Sequence, residues 1–213
     1  MVRCIQVSMD TSAFIALWST VFITLLVIMD PPGTMPIFMS LVGRETPKRQ
    51  QRLALQAVAT AFTVIVAFAV FGDQVLEFLG ISLPALQASG GLLLLLVALE
   101  LLTGKDSEPE KSSDVSVALV PLGTPLMAGP GAIAVTIVFV RRAEGSMDYL
   151  AIAVAIVAVH LVLYAVLRFA VPIMKLIGTA GVMIATKLAG LLLAAIAIQM
   201  ISDAVFKFIE IHG

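Results

Sequence analysis

Six long apolar runs alternate with short polar connections along this chain, at 12–42, 53–79, 83–103, 116–140, 149–170 and 180–209. Each is close to or longer than the ~20 residues an α-helix needs to cross the hydrocarbon core of a bilayer. The pattern predicts an all-α polytopic membrane protein of six transmembrane spans. Two spans are interrupted from within. Asp30-Pro31-Pro32-Gly33-Thr34-Met35-Pro36 breaks the first, and Pro121-Leu122-Gly123-Thr124-Pro125 with Gly129-Pro130-Gly131 breaks the fourth. Proline removes a backbone donor and clashes with the preceding turn, so such clusters survive in lipid only where protein or a wet cavity satisfies the freed backbone. Paired broken helices at corresponding places in two halves point to a transport site.

The longest polar stretch separates the halves. Residues 104–115 carry Lys105, Asp106, Glu108, Pro109, Glu110, Lys111 and Asp114 with no apolar period, and read as a cytoplasmic linker between a first repeat at 12–103 and a second at 116–209. At an offset of 98, Met29 meets Met127, Pro32 meets Pro130, Gly33 meets Gly131, Phe71 meets Phe169 and Gly80 meets Gly178. At 99, Gly91 meets Gly190 and Ala98 meets Ala197. Three spans per half is an odd number, so the second half enters the membrane in the opposite sense. The expectation is one transmembrane domain built from two inverted three-span repeats.

Composition narrows the classes of function. The hydrophobic fraction is 60%, charged residues make up 13%, and mean hydropathy is +1.08, far from the roughly half-apolar, quarter-charged balance of soluble domains. A net charge of −1 gives no basic footprint for nucleic acid. The single cysteine, Cys4, forms no intrachain disulfide. The first apolar run ends in Asp-Pro-Pro-Gly rather than a small-residue cleavage site, so it is expected to stay as a span. With the N-terminus outside, nine Lys and Arg fall in inner connections and four (Arg3, Arg141, Arg142 and Lys207) outside. This bias favours both termini in the periplasm.

Candidate chemistry centres on the breaks. Asp30 followed by Pro31 has the signature of a helix N-cap with proline at the first helical position. A half-helix is expected to start there, and another, Ala132 to Val140, after Gly129-Pro130-Gly131 from the opposite side. Their positive ends suit a carboxylate, while Asp30 suits an ammonium, so a zwitterion is the ligand class that fits. The alternative for Asp30 is a cap on a helix kink; for Thr34 and Thr124 it is back-bonding to their own helix. Glu100 and its repeat counterpart Gln199 could line a path or carry a coupling proton, or Glu100 could simply reach the interface. His160, Tyr164 and Arg168 form one polar stripe at i, i+4 and i+8, lining a path or else anchoring the helix. Ser89, Gly90, Gly91, Gly190 and Ala194 permit close helix packing. His160 and His212 lack metal-ligand spacing, and no metal or cofactor is expected.

These residues resemble the MarC family of bacterial inner-membrane proteins. The likeness rests on Asp30 to Phe38, Gly90-Gly91, Pro121 to Ile133, Gly190-Leu191 and Gln199-Met200, and covers nearly the whole chain. It implies a six-span inner-membrane protein similar to transporters of small neutral amino acids. The substrate contacts expected from the two breaks themselves are Asp30, Pro32, Gly33, Thr34, Thr124, Gly129, Pro130 and Gly131. A membrane scaffold without transport would leave the paired breaks unused. An enzyme lacks a second intramembrane acid or a Ser/His pair. The expected partners are the bilayer and a small-molecule substrate, and the chain is compatible with a homo-oligomer.

Overall fold

The computed structural model describes residues 2–43, 45–104 and 127–212. Among them every regular element is a helix: α1 Val2–Met29, α2 Pro31–Val42, α3 Pro47–Leu79, α4 Leu83–Thr103, α5 Pro130–Arg141, α6 Ser146–Arg168 and α7 Ala170–His212. Five apolar stretches are long enough to span a membrane, at Thr11–Met39, Pro47–Leu79, Leu83–Thr103, Ser146–Arg168 and Ala170–Glu210. The sixth apolar helix, Gly131–Arg141, is short. The expected fourth span, 116–140, is represented by α5 alone, because 116–126 and most of the expected linker lie outside the described residues. The second span begins earlier than its apolar run, at Pro47, since Lys48 to Arg52 extend the helix as a polar first turn.

Glycines set the reversals of the chain. Gly80 caps α3 with φ 67, and Gly178 interrupts α7 with φ 71 and ψ 172. Both values lie where a Cβ is strained, so glycine is required at each. Past Gly178 the chain runs antiparallel to α4. Gly90 and Gly91 face the stretch from Ala197 to Ile201, whereas Gly190 faces the stretch from Ala98 to Leu102. That contact is reciprocal: a Cβ on Gly91 would lie 2.9 Å from the Ala197 carbonyl oxygen, and one on Gly190 3.3 Å from the Ala98 carbonyl oxygen. Ser89 stands outside this seam, exposed, with its hydroxyl donating to the Leu86 carbonyl at 3.0 Å.

Polar contacts fix which helix ends share a face. Arg141 at the end of α5 pairs with Asp73 near the end of α3, Arg142 with Asp203 near the end of α7, and Lys207 with Gln87 at the start of α4. We call this the Arg141 face. The opposite face, where α2 ends and α3 begins, is the Pro47 face. The buried core lies between them and draws on α1 (Val21, Leu25, Met29), α3 (Ala57, Ala61, Ile65), α5 (Ala134, Val135) and α6 (Ala155, Val159, Leu163).

Because Gly91 and Gly190 are met by backbone oxygens that cannot swing aside, Gly91→Ala and Gly190→Ala are each expected to cost about 1–3 kcal/mol through overpacking. Gly145 has nothing within 4 Å of a built Cβ, so Gly145→Ala is the neutral control. Thermal unfolding in detergent checks this: both seam variants melt lower than the parent and the control does not.

Candidate functional site

At the first break the Asp30 side chain does not cap as expected. Asp30 follows α1 directly and is left-handed, with φ 39 and ψ 69, the one non-glycine positive φ among the described residues. Aspartate tolerates this region better than most residues. Its backbone keeps the ladder intact on both sides, with the Asp30 N–H donating to the Leu26 carbonyl at 3.1 Å and the Thr34 N–H donating to the Asp30 carbonyl at 2.9 Å. Pro31 and Pro32 fill the first two positions of α2, where no intrahelical donor is needed. The side chain, however, makes no capping hydrogen bond. Asp30 thus takes the N-cap position that the sequence predicts, with Pro31 at the first helical position, and what differs is the side chain, which the left-handed backbone folds over Gly33. A Cβ at Gly33 would collide with Asp30 Oδ2, so only glycine leaves room for it.

That carboxylate is buried, 7% exposed; it lies against the Gly33 backbone without forming a well-aligned hydrogen bond, and no side chain among the described residues partners either oxygen. Thr34 is buried beside it, but its hydroxyl donates to the carbonyls of Met29 at 3.1 Å and Asp30 at 2.9 Å. Thr34 therefore stitches the break, the back-bonding alternative, and keeps only its lone pairs for a ligand. Thr186 of α7 closes the site from the other side, its Cγ2 lying 3.4 Å from where a Gly33 Cβ would be.

At the second break Met127 and Ala128 are buried, Gly129 is extended with φ −63 and ψ 164, and α5 starts at Pro130. The Gly129 carbonyl accepts from Ile133 N–H at 3.1 Å. A Cβ on Gly131 would overlap the Leu94 side chain of α4. Thr124 lies outside the described residues. Both α2 and α5 have 12 residues, so each half-helix is about 18 Å long. The first runs from its break to the Pro47 face and the second from its break to the Arg141 face. Two half-helices of opposite sense thus begin inside the bundle, and Met29, Met127 and Ala128 belong to one buried cluster.

The remaining candidates divide. His160 is buried; its Nδ1 lies 2.7 Å from the Ile156 carbonyl, which can only accept, so this nitrogen carries the hydrogen. Its Nε2 is then an acceptor with no partner among the described residues, and Phe62 meets the ring edge-on at 5.2 Å. Glu100 is exposed, as is Gln199, whose Nε2 donates to Asp203 Oδ1 at 2.7 Å. The structure does not bring these two to the buried breaks. Sequence reasoning missed Gln87, which is 1% exposed and accepts from Lys207 Nζ at 3.4 Å, and Thr136, which is 1% exposed and donates to the Ala132 carbonyl at 2.7 Å. An amide inside the apolar run 83–103 was the signal available for Gln87.

Residues 15–209 match the MarC family integral membrane protein description. A UPF0056 membrane protein of Methanocaldococcus jannaschii is 35% identical over 204 residues, covering 92% of this chain and 98% of its own length. One of Aquifex aeolicus is 32% identical over 208 residues, covering 92% and 96%. The UPF0056 membrane protein YhcE of Escherichia coli is 31% identical over 188 residues, covering 84% and 87%. No solved structure matches the chain. With its apolar helices, its paired breaks and a match that runs from the first span to the last, this chain belongs to the MarC family of integral membrane proteins.

Proposed function

We propose that this protein is a secondary transporter of small neutral amino acids or similar zwitterions in the bacterial inner membrane, moving its cargo without a chemical step. The observation that carries the reading is the Asp30 carboxylate, buried at a helix break with only the Gly33 backbone beside it and no side chain to balance its charge among the described residues. A buried acid without a partner is costly in a membrane and is kept where a ligand or ion meets it. Pro31 and Pro32 remove two donors from the first turn of α2, whereas α5 loses only one to Pro130. The ammonium is therefore assigned to Asp30 and the carboxylate to the first turn of α5, whose dipole favours an anion. Simple cations and anions each leave one protein group unpaired, at a cost of about 1–3 kcal/mol.

Alternating access follows from an inverted repeat, which several features support. Helices that pair across the bundle exchange partners under the offset: α2 packs on α6 as α5 packs on α3, α2 packs on α7 as α5 packs on α4, and α4 packs on the second arm of α7 through the reciprocal glycine contacts. Grooves at opposite faces are lined by equivalent positions. Val70, Asp73 and Gln74 line one of about 480 Å³, and Arg168, Val171 and Pro172 line one of about 320 Å³. The bias of Lys and Arg places the Arg141 face and both termini in the periplasm. Arg141 and Arg142, which run against that bias, are engaged in ion pairs.

Uptake into proteoliposomes of labelled alanine, serine and glycine tests the cargo. Asn keeps the size of Asp and its tolerance of the left-handed region, and no capping bond is lost, so Asp30→Asn is expected to fold like the parent and lose most uptake. A well-folded variant transporting at the parental rate would reduce Asp30 to a backbone role. Millimolar substrate is expected to raise the melting temperature of the parent and not of Asp30→Asn.

Orientation has its own check. Single cysteines at Gly145 and Lys48, placed in a Cys4→Ser background, are expected to react with a membrane-impermeant maleimide from the periplasmic and cytoplasmic sides respectively. The reverse result inverts the topology.

A further inference from the structure

Among the described residues, every ion pair that joins different helices lies at the Arg141 face. Arg141 bonds Asp73 through Nε, and its Nη2 lies 3.9 Å from Glu77 Oε1. Asp73 and Glu77 are one turn apart on α3, so one guanidinium spans both. The next residue, Arg142, reaches the other way, its Nη2 lying 3.6 Å from Asp203 Oδ2 on α7. Consecutive arginines at the end of one half-helix thus clasp it to two neighbours. Below the clasp the packing is close: a Cβ on Gly72, next to Asp73, would lie 2.5 Å from Ile137 Cγ1 of α5, and one on Gly90 of α4 would lie 2.5 Å from Ala134 Cβ.

Among the described residues the other half has no counterpart to this arrangement. At the repeat offsets, Arg141 corresponds to Gly43, Asp73 to Val171, Glu77 to Lys175 and Asp203 to Gly104, while Arg142 corresponds to Arg44, which lies outside the described residues. The positions of the three acids hold no acid in the other half. The two half-helices are alike in length and opposite in sense, but among the described residues only α5 is tied to its neighbours by charge.

We propose that the Arg141–Asp73–Glu77 and Arg142–Asp203 pairs form a one-sided gate, holding α5 closed toward the Arg141 face so that the resting protein opens toward the Pro47 face. The proposal rests on the transport reading. A partly exposed ion pair shifts an equilibrium by only about two- to fivefold. A gate needs no more than the sum of a few such pairs, because what moves the population is the difference they make between two states. Passage at the Arg141 face then requires the pairs to break, and raising ionic strength weakens them.

The test uses full-length protein in vesicles of either orientation, with Cys4→Ser and a reporter Ala128→Cys beside the second break, labelled by a membrane-impermeant maleimide. The parent is expected to label faster from the Pro47 face. Arg141→Gln with Arg142→Gln is expected to raise labelling from the Arg141 face about tenfold, and Asp203→Asn alone by about two- to fivefold. Exchanging the partners, Arg141→Asp with Asp73→Arg, is expected to restore part of the closure lost in Arg141→Asp alone. If the reporter is reached from the Pro47 face and every charge variant labels as the parent does, the gate is overturned and the transport reading stands. If the folded protein is reached from neither face in parent and variants alike, although the thiol reacts after denaturation, both fall.

Discussion

A backbone amide in lipid has no water to turn to, and every helix in this chain answers to that constraint. Breaking a span at Asp30 is tolerable only because the ladder is repaired in place. The Asp30 N–H still reaches Leu26, its carbonyl still receives Thr34, and the Thr34 hydroxyl covers the carbonyls of Met29 and Asp30. The prolines sit where the helix needs no donor. What the repair does not cover is the Asp30 side chain. The backbone is satisfied, while the buried carboxylate has only the Gly33 backbone beside it.

Packing around the breaks shows the same division between structure and use. Glycine appears where helices must touch, at Gly90, Gly91 and Gly190 between α4 and α7, at Gly72 between α3 and α5, and at Gly131 between α5 and α4. In a bilayer, where lipid tails are as apolar as leucine, such contacts supply the association that the hydrophobic effect supplies in water. The short helix α5 is therefore gripped on several sides and buried from Gly131 to Val138, apart from the half-buried Ile133. The equivalent helix α2 exposes Pro36. The two half-helices thus differ in burial, and the ion pairs at the end of α5 add to that difference.

Much of the fold was legible in the sequence because both of its signals are local. Runs of apolar residues gave the helices, and Pro-Gly clusters gave the starts of α2 and α5 to within a residue or two. A reversal between 170 and 180 was legible from the gap between the fifth and sixth apolar runs, and the structure puts it at Gly178. Asp30 is the N-cap that the Asp-Pro pattern signals, but its left-handed backbone was not legible, because that pattern is the same for a β-region cap and a left-handed one; only the backbone angles separate them. The clasp was not legible at all. Arg141 and Asp73 are 68 residues apart in sequence, and nothing local marks an arginine as one whose partner comes from another helix. Glu100 and Gln199 illustrate the converse: polarity at matching repeat positions placed them together in the sequence, yet both lie on the exposed surface.

The central claim is that two half-helices of opposite sense meet inside the membrane and hold one solute between them. The distance between spin labels at Met29→Cys and Met127→Cys, in a Cys4→Ser background reconstituted in bilayers, tests it most directly. The account predicts a short separation, within roughly half of the ~30 Å hydrocarbon thickness, that changes when a zwitterionic substrate is added. Labels held near opposite surfaces, about 30 Å apart and indifferent to any small amino acid, would contradict it.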